Sequence, residues 1–533
     1  MTLGDPWIAT PHLRPDYRGP VDRAYTPFPD PAASLPIVAT LERFAIGTPD
    51  AIAVDSRDAC LGYRALWQAV RTLQAKIEFA AQTQGPVAIL LPTGAAYVVA
   101  VFAVLAARRI GLLLDRNSPD DRNAALASAA GARLVLVAPD PDGKLAWADS
   151  VTIGVAEVFE RTAVADSGDR QPLGLDQPAF ILCTSGSTGQ PKPIAHSQRT
   201  MLHWVRTVAD ALHLTADDRV LSVSPPATLG GFVALLACAL TGASMQMLDI
   251  RPGGFGDFLQ LLATRPITIL RAAPSFLRAL VRVPGASSAL ARLRLVQLYG
   301  EPVLKADVGE LRKMLPSACL IRSTYGATEA SGLSWFAGAP DDFDPLLSAT
   351  GVLMPDTSAL IVDEAGRPCG PGEPGELLIR SRYNALGEWK DGKIVPGTFE
   401  AESSDGSVRV YRTGDIARFH SEGVFVVLGR KDRMVKINGQ RAEPAEVELA
   451  LRRFPEIAEA EVLPHRRGET TRLIAFVVPR PEAAPGWVES LETHLRSALP
   501  AYMVPSRIHV LRAIPRLASG KADGQELLAL VDA

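Results

Sequence analysis

From Ala51 to about Thr350, short apolar runs alternate with helical patterns, and nothing else in the sequence restricts the fold as much. The runs are a strand from Val87 to Leu91, a helix from Ala95 to Ala107, a strand from Gly111 to Leu114, a helix near Asp121 to Ala130 and a strand from Arg133 to Val137. Parallel strands need a crossover between them, and a helix supplies it, so the alternation predicts βαβ units and parallel sheets covered by helices, an α/β class. The uncharged stretch Ala95 to Ala107 is too short for a membrane span, which needs ~20 residues, and reads as a buried core helix.

After Thr350 the texture changes to short β runs broken by turns: Ser358 to Val362, Gly375 to Arg380, Val408 to Arg412 and Gly423 to Leu428. These predict a small barrel or meander. Asn438-Gly439 is a strong hairpin signal, and Pro444 suits the first turn of a helix running to about Phe454. Strands from Glu459 to Leu463 and Leu473 to Val478 follow, then an amphipathic helix with Trp487, Leu491 and Leu495 at helical spacing. A chain of 533 residues is too long for one core. The boundary is placed at Asp432, giving domains 1–432 and 433–533. Residues 1–45, rich in Pro and Asp, read as an extended arm with one short helix near Ile37 to Phe44.

Charge excludes several partners. Lys+Arg 55 against Asp+Glu 58 leaves a net −3, too balanced to condense onto nucleic acid or an anionic membrane. The five cysteines, Cys60, Cys183, Cys238, Cys319 and Cys369, stand far apart without a CxxC, so neither a disulfide framework nor a zinc site is legible. The N-terminus lacks a basic region followed by an apolar stretch. A cytoplasmic protein acting on small molecules, or with protein partners, is expected.

The first segment with chemical content is Ala179-Phe-Ile-Leu-Cys-Thr-Ser-Gly-Ser-Thr-Gly-Gln-Pro-Lys-Pro-Ile-Ala-His-Ser. It reads as an apolar strand, a Gly/Ser/Thr loop with a lysine, and then a helical stretch. Small residues leave backbone N–H groups and hydroxyls free to wrap an anion, and Lys192 adds positive charge. A Walker A loop would need glycine directly before the lysine, where Pro191 stands. The phosphate-loop reading is the favoured one, with a flexible surface turn as its alternative.

Four further segments follow in order: Ser323-Thr-Tyr-Gly-Ala-Thr-Glu-Ala, Tyr411-Arg-Thr-Gly-Asp-Ile, Gly429-Arg-Lys-Asp and Pro515-Arg-Leu-Ala-Ser-Gly-Lys-Ala-Asp. With the first, they closely resemble the acyl-adenylate-forming superfamily across residues 35 to 527, and the peptide-synthetase adenylation domains above all. Arg382-Tyr-Asn-Ala-Leu-Gly-Glu-Trp and Leu499-Pro-Ala-Tyr-Met-Val-Pro-Ser carry that second likeness. With Lys521 so near the last residue, the resemblance is to a freestanding adenylation enzyme. It implies a large N-terminal domain of two helix-covered sheets plus a small β-barrel, then a small mobile α+β domain carrying Lys521.

It also implies ATP and Mg²⁺ as cofactors. Attack of a carboxylate on the α-phosphorus brings two anions together, so the site must supply positive charge and oriented donors. By resemblance, Thr184, Ser185, Gly186, Ser187, Thr188, Gly189 and Lys192 hold the β- and γ-phosphates, Thr328 contacts the α-phosphate, and Glu329 helps place Mg²⁺. Tyr325, followed by Gly326, stacks on adenine. Asp415 accepts the ribose hydroxyls with Arg430 assisting, and Lys521 bridges carboxylate and α-phosphate oxygens. Asp432 falls at the family's hinge.

Four positions depart from the family pattern: Pro193 for glycine, Ala327 for proline, Ser519 for asparagine and Thr228 for an aromatic residue. None removes a charged group. In α-amino-acid-activating domains an aspartate pairs with the substrate ammonium, and alignment on Thr241-Gly-Ala-Ser puts Leu229 there. An ammonium buried against leucine would cost ~3 kcal/mol or more, so an acid without an α-amino group is expected. The same alignment adds Gly230, Val233, Ser275, Gln297, Tyr299, Thr324, Gly332 and Leu333 to the acyl pocket. The bulk of Tyr299 favours a short or flat acid, with its hydroxyl or Gln297 bonding a polar group; turned into the core, it would be structural. The acceptor stays open between a separate carrier protein, free CoA and an amine. A nucleotide-binding scaffold is the non-enzyme alternative, and acid-dependent ATP–pyrophosphate exchange separates it from an enzyme.

Overall fold

The computed structural model describes residues 6–9, 16, 18–31, 33–80, 85–138, 151–155, 173–184, 192–301, 303, 305–336, 349–420, 423–431, 435–437, 440–442, 444–467, 470–483, 486–499, 503–517 and 522–532. Ser185, Gly186, Ser187, Thr188, Gly189, Asp432, Asn438, Gly439, Ser519 and Lys521 lie outside the described residues. The chain resolves into two compact units. One takes in Met1–Leu360, Leu378–Arg412 and Ser421–Phe425; the other takes in Ile361–Leu377, Thr413–His420 and Val426–Ala533.

The first unit is built on two sheets. One has the strand order Ala349–Leu353, Ser331–Phe336, Leu320–Gly326, Leu295–Tyr299, Ile269–Ala272, Arg219–Ser222, Ser244–Met247, Ile52–Asp55, Cys60–Gly62. Its interior from Leu320–Gly326 to Ile52–Asp55 is parallel, and antiparallel strands flank it on both sides. The other runs Lys393–Val395, Gly387–Lys390, Lys192–Ser197, Pro178–Thr184, Gly111–Leu113, Val87–Leu90, Leu134–Val137, Val151–Gly154. Its last five strands are parallel, as the alternation of runs predicts.

The helix Ala95–Ala106 shows why a 12-residue apolar segment belongs here: Val98, Val101, Phe102 and Leu105 are all buried in the largest core, which also takes in the helices Gln198–Leu212 and Leu229–Thr241. Burying side chains of this size contributes about 1.5–3 kcal/mol each. Among the described residues no helix is long and apolar enough to cross a membrane.

One expectation is corrected. The sequence places a helix directly after the Gly/Ser/Thr loop, but a strand intervenes: Lys192–Ser197 pairs antiparallel with Pro178–Thr184, and the helix begins only at Gln198. Lys192 precedes Pro193, which biases it to extended backbone, and Ile194, Ala195 and His196 are fully buried in the pairing. Ser197 then caps the helix, its Oγ accepting from the Thr200 N–H at 3.1 Å.

The strands Ser358–Val362, Gly375–Ser381, Arg409–Phe419 and Phe425–Arg430 follow one another across a sheet in that order and are divided between the two units. Further along the second unit, Val435–Ile437 and Gln440–Ala442 pair with Ile437 opposite Gln440, the register that a two-residue hairpin produces. The helix Pro444–Arg453, the antiparallel pair Ile457–Arg467 and Thr470–Pro479, the parallel strand Arg507–Val510 and the helices Trp487–Ala498 and Gly524–Asp532 form an α+β layer. Val447, Leu451, Val462, Leu491 and Leu495 fill its core.

Candidate active site

Tyr325, Gly326, Thr328 and Glu329 sit at the turn between the strands Leu320–Gly326 and Ser331–Phe336. Reciprocal backbone bonds close it: the Ala327 N–H donates to the Ala330 oxygen at 3.0 Å, and the Ala330 N–H to the Ala327 oxygen at 3.3 Å. Thr328 and Glu329 are thus the two residues at the tip. Ala327, a departure from the family pattern, has a use here, because a proline would lack the N–H that closes the turn. Gly332 lets the Tyr325 ring lie against the neighbouring strand, since a Cβ there would stand 2.8 Å from Tyr325 Cδ1.

The segment after Arg382 organises this region. Ala385 N–H donates to the Glu329 carbonyl at 2.9 Å, Leu386 N–H to Ala195 at 2.8 Å, and Glu388 Oε1 accepts from Lys192 Nζ at 3.2 Å. Arg409 holds the segment, donating to the carbonyls of Arg382, Asn384 and Ala385 at 3.1, 2.9 and 2.8 Å. Thr184 ends the strand opposite Lys192, its Oγ1 donating to the Lys192 carbonyl at 3.5 Å. The role of Glu388 escapes a sequence reading because its partner Lys192 lies 196 positions away, and that of Arg409 because it bonds backbone carbonyls, which no residue type marks.

The residues aligned to an acyl pocket gather around one strand set. Leu229 and Gly230 open the helix Leu229–Thr241, whose cap is Thr228, with Oγ1 accepting from the Gly231 N–H at 3.3 Å. Leu229 is half-buried, Val233 and Leu333 are buried, and Gly230 meets the Tyr299 ring so closely that a Cβ would stand 2.1 Å from Cε2. The Tyr299 hydroxyl donates to Ser224 Oγ at 2.9 Å and lies 3.2 Å from Ser222 Oγ. Gln297 Oε1 accepts from Arg271 Nε at 2.9 Å, and its Nε2 donates to Thr324 Oγ1 at 3.4 Å. Ser275 is turned to Glu301, donating from its N–H at 2.9 Å and its Oγ at 2.7 Å.

Arg271 is a further residue that sequence reasoning missed: it is 3% exposed and its guanidinium lies 5.2 Å from the Tyr299 ring centre. Burial pulls its pKa down, and pushes that of Arg322, with Arg271 adding repulsion, to about 9.

In the second unit the Asp415 carboxylate, largely buried, lies 3.4 Å from Arg430 Nη1, which also donates to the Thr413 carbonyl at 2.8 Å. The Asp415 N–H donates to Thr413 Oγ1 at 2.9 Å, and Thr413 Oγ1 to the Leu377 carbonyl at 2.7 Å. A carboxylate fixed this way can accept two hydroxyls. Lys431 Nζ donates to Glu376 Oε2 at 2.9 Å.

A family model described as AMP-binding enzyme matches residues 41–389, and one described as AMP-binding enzyme C-terminal domain matches residues 446–521. The chain is an AMP-binding enzyme. Among curated members of this family, phosphinothricin tripeptide synthetase PhsC of Streptomyces viridochromogenes is 31% identical over 511 residues, covering 93% of this chain and 45% of that protein. Isonitrile lipopeptide synthase of Streptomyces coeruleorubidus is 30% identical over 541 residues, covering 94% and 34%. The chain therefore spans less than half the length of each. Among solved structures, Klebsiella oxytoca NpsA in complex with 3-hydroxyanthranilyl-AMSN superposes with a TM-score of 0.80 at 22% identity, covering 94% of this chain and all of that one, which shows a shared fold.

Proposed function

We propose that this AMP-binding ligase activates a carboxylic acid lacking an α-amino group as acyl-AMP, releasing pyrophosphate from ATP, and passes the acyl group to the phosphopantetheine thiol of a separate carrier protein. The observation that carries the substrate class is Leu229 at the mouth of the helix Leu229–Thr241, flanked by the uncharged Thr228, Gly230 and Gly231. An α-ammonium group there would lack its counter-charge.

In this reading Thr184 to Gly189 and Lys192 cradle the distal phosphates, Thr328 meets the α-phosphate, and Tyr325 stacks on adenine. The fixed Asp415 carboxylate beside Arg430 fits ribose hydroxyls. The single carboxylate of Glu329 suits Mg²⁺, a hard cation held by one or two carboxylates plus phosphate oxygens. When bound, the metal neutralises phosphate charge. Residues 433–533 form the mobile domain: they bring Lys521 to the carboxylate for adenylation and, by rotating about Asp432, withdraw it for thiol attack. The proton chemistry is light. The acid reacts as its carboxylate, and the protein's task is to align two anions and offset their repulsion.

The test is ATP–pyrophosphate exchange with matched acids that differ only in the α-amino group, on the native protein and Leu229→Asp. The native protein should favour the acid without the amine. The aspartate should weaken that activity, because a half-buried carboxylate is partly desolvated and repels the substrate's own charge. Native preference for the amino acid would remove the substrate class. Transfer from acyl-AMP to a holo-carrier protein, to CoA and to a simple amine, run in parallel, distinguishes the acceptors.

A further inference from the structure

Strand register sets Ser222, Arg271, Gln297, Arg322 and Phe336 side by side in one row across five strands. In-register neighbours project from the same face of a sheet. Two of the five are arginines, 3% and 0% exposed, and neither forms an ion pair among the described residues. Arg271 donates from Nε to Gln297 and from Nη1 to the Gly230 carbonyl at 3.1 Å, while its Nη2 makes no hydrogen bond among the described residues. Arg322 donates from Nε to Ser334 Oγ at 2.9 Å and lies 5.8 Å from the Phe336 ring centre, and its Nη1 and Nη2 are buried with no hydrogen-bond partner among the described residues.

Guanidiniums are almost never fully buried without an anion. Here two share a row, and the oxygens that reach them are neutral. The row lies directly below Tyr299 and Thr324, which are two residues further along their strands and face the same side. Two residues of strand span roughly 7 Å. That is about the reach of a carbon chain carrying a carboxylate at each end.

We propose that Arg271 and Arg322 receive a second carboxylate at the far end of the acid, so that the substrate class is a short dicarboxylic acid. The inference deepens the acid-activating reading and rests on it for the identity of the pocket. Gln297 spaces the two cations, and Tyr299, anchored by Ser222 and Ser224, roofs Arg271 and limits the width of what enters.

The experiment compares succinate, glutarate and adipate with butyrate, valerate and hexanoate, by ATP–pyrophosphate exchange and by calorimetric binding. Both are run on the native protein, Arg271→Met and the charge-keeping Arg271→Lys, with thermal unfolding as the check that each variant folds. A native kcat/KM at least tenfold higher for one diacid than for its matched monoacid is expected, with the ratio collapsing in Arg271→Met and partly restored in Arg271→Lys. If the methionine variant does not fold, native discrimination and the lysine variant still decide. Native exchange with monoacids as good as with diacids overturns the dicarboxylate proposal and leaves acid activation standing. Diacid binding that needs Arg271 but supports no exchange upholds the arginine site and overturns acid activation. Binding of neither series overturns the arginine site, as does chloride alone protecting the native protein from thermal unfolding as well as a diacid does.

Discussion

Lys192, the proposed phosphate ligand, is held by a competitor in this structure. Its Nζ lies 3.2 Å from Glu388 Oε1, with the lysine side chain 37% and the glutamate 21% exposed. A nucleotide phosphate must win the ammonium from that carboxylate. An ion pair this open to water is worth about 0.2–1 kcal/mol, a factor of roughly 1.4–5 in an equilibrium constant. Glu388→Gln keeps the shape and the backbone pairing of Glu388 with Ile194 and Val395 but removes the charge. Calorimetric titration with Mg-ATP should therefore show binding about 1.4–5-fold tighter in the variant at low salt, with the gain shrinking at 0.5 M salt as screening weakens the pair. In a Lys192→Met background the same substitution should give no gain, because the competed charge is gone. Weaker ATP binding in Glu388→Gln would refute the reasoning and make Glu388 a residue that aims the lysine.

Lys521→Ala should lower adenylation by ~10²–10³ or more, while Mg-ATP binding and thioester formation from supplied acyl-AMP persist, because the lysine is assigned to charge that builds in the transition state; equal losses in both half-reactions would end that assignment. His196 gives a pH signature. It is fully buried against Trp204, and burial pulls its pKa down to about 3, so the unfolded chain takes up the proton first as pH falls through about 6.5. Stability present above about pH 6.5 is lost below it, by about 2 kcal/mol at pH 5 for this one group. Urea unfolding at pH 7 and pH 5 should show His196→Leu losing about 2 kcal/mol less than the native protein over that interval, and equal losses would count against a neutral buried imidazole.

What could be read from the sequence follows from range of interaction. Helix and strand identities between Val87 and Val137 rest on local periodicity, and the structure reproduces them within a residue or so at each end. The strand Lys192–Ser197 escaped because its code, Lys-Pro-Ile-Ala-His-Ser, has no alternation; partners on both sides make it a strand. The row containing Arg271 and Arg322 was invisible for a deeper reason. Each arginine stands in an apolar run that reads as an ordinary buried strand, and only strand order sets the two side chains on one face. Glu388 lies within the segment Arg382 to Trp389, but its partner Lys192 is 196 positions away, and Arg409 bonds backbone carbonyls, which carry no side-chain signature.

The strap from Arg382 to Trp389 has a consequence for recombining relatives of this enzyme. It bonds at once to the turn bearing Glu329, to the strand bearing Lys192 and, through the Trp389 indole N–H at 2.9 Å, to the Ala130 carbonyl at the end of the helix Asp120–Ala130. Crossover points near Ser222 and Leu333 leave two of the three anchors, Lys192 and Ala130, outside the exchanged piece and carry the Glu329 turn within it. A chimera cut there must match a foreign turn to a native strap through one backbone bond, from Ala385 to position 329, which any residue can accept. A single crossover between Leu333 and Arg382 instead joins Lys192 of one parent to the strap of the other, so that this lysine acquires a foreign partner at position 388.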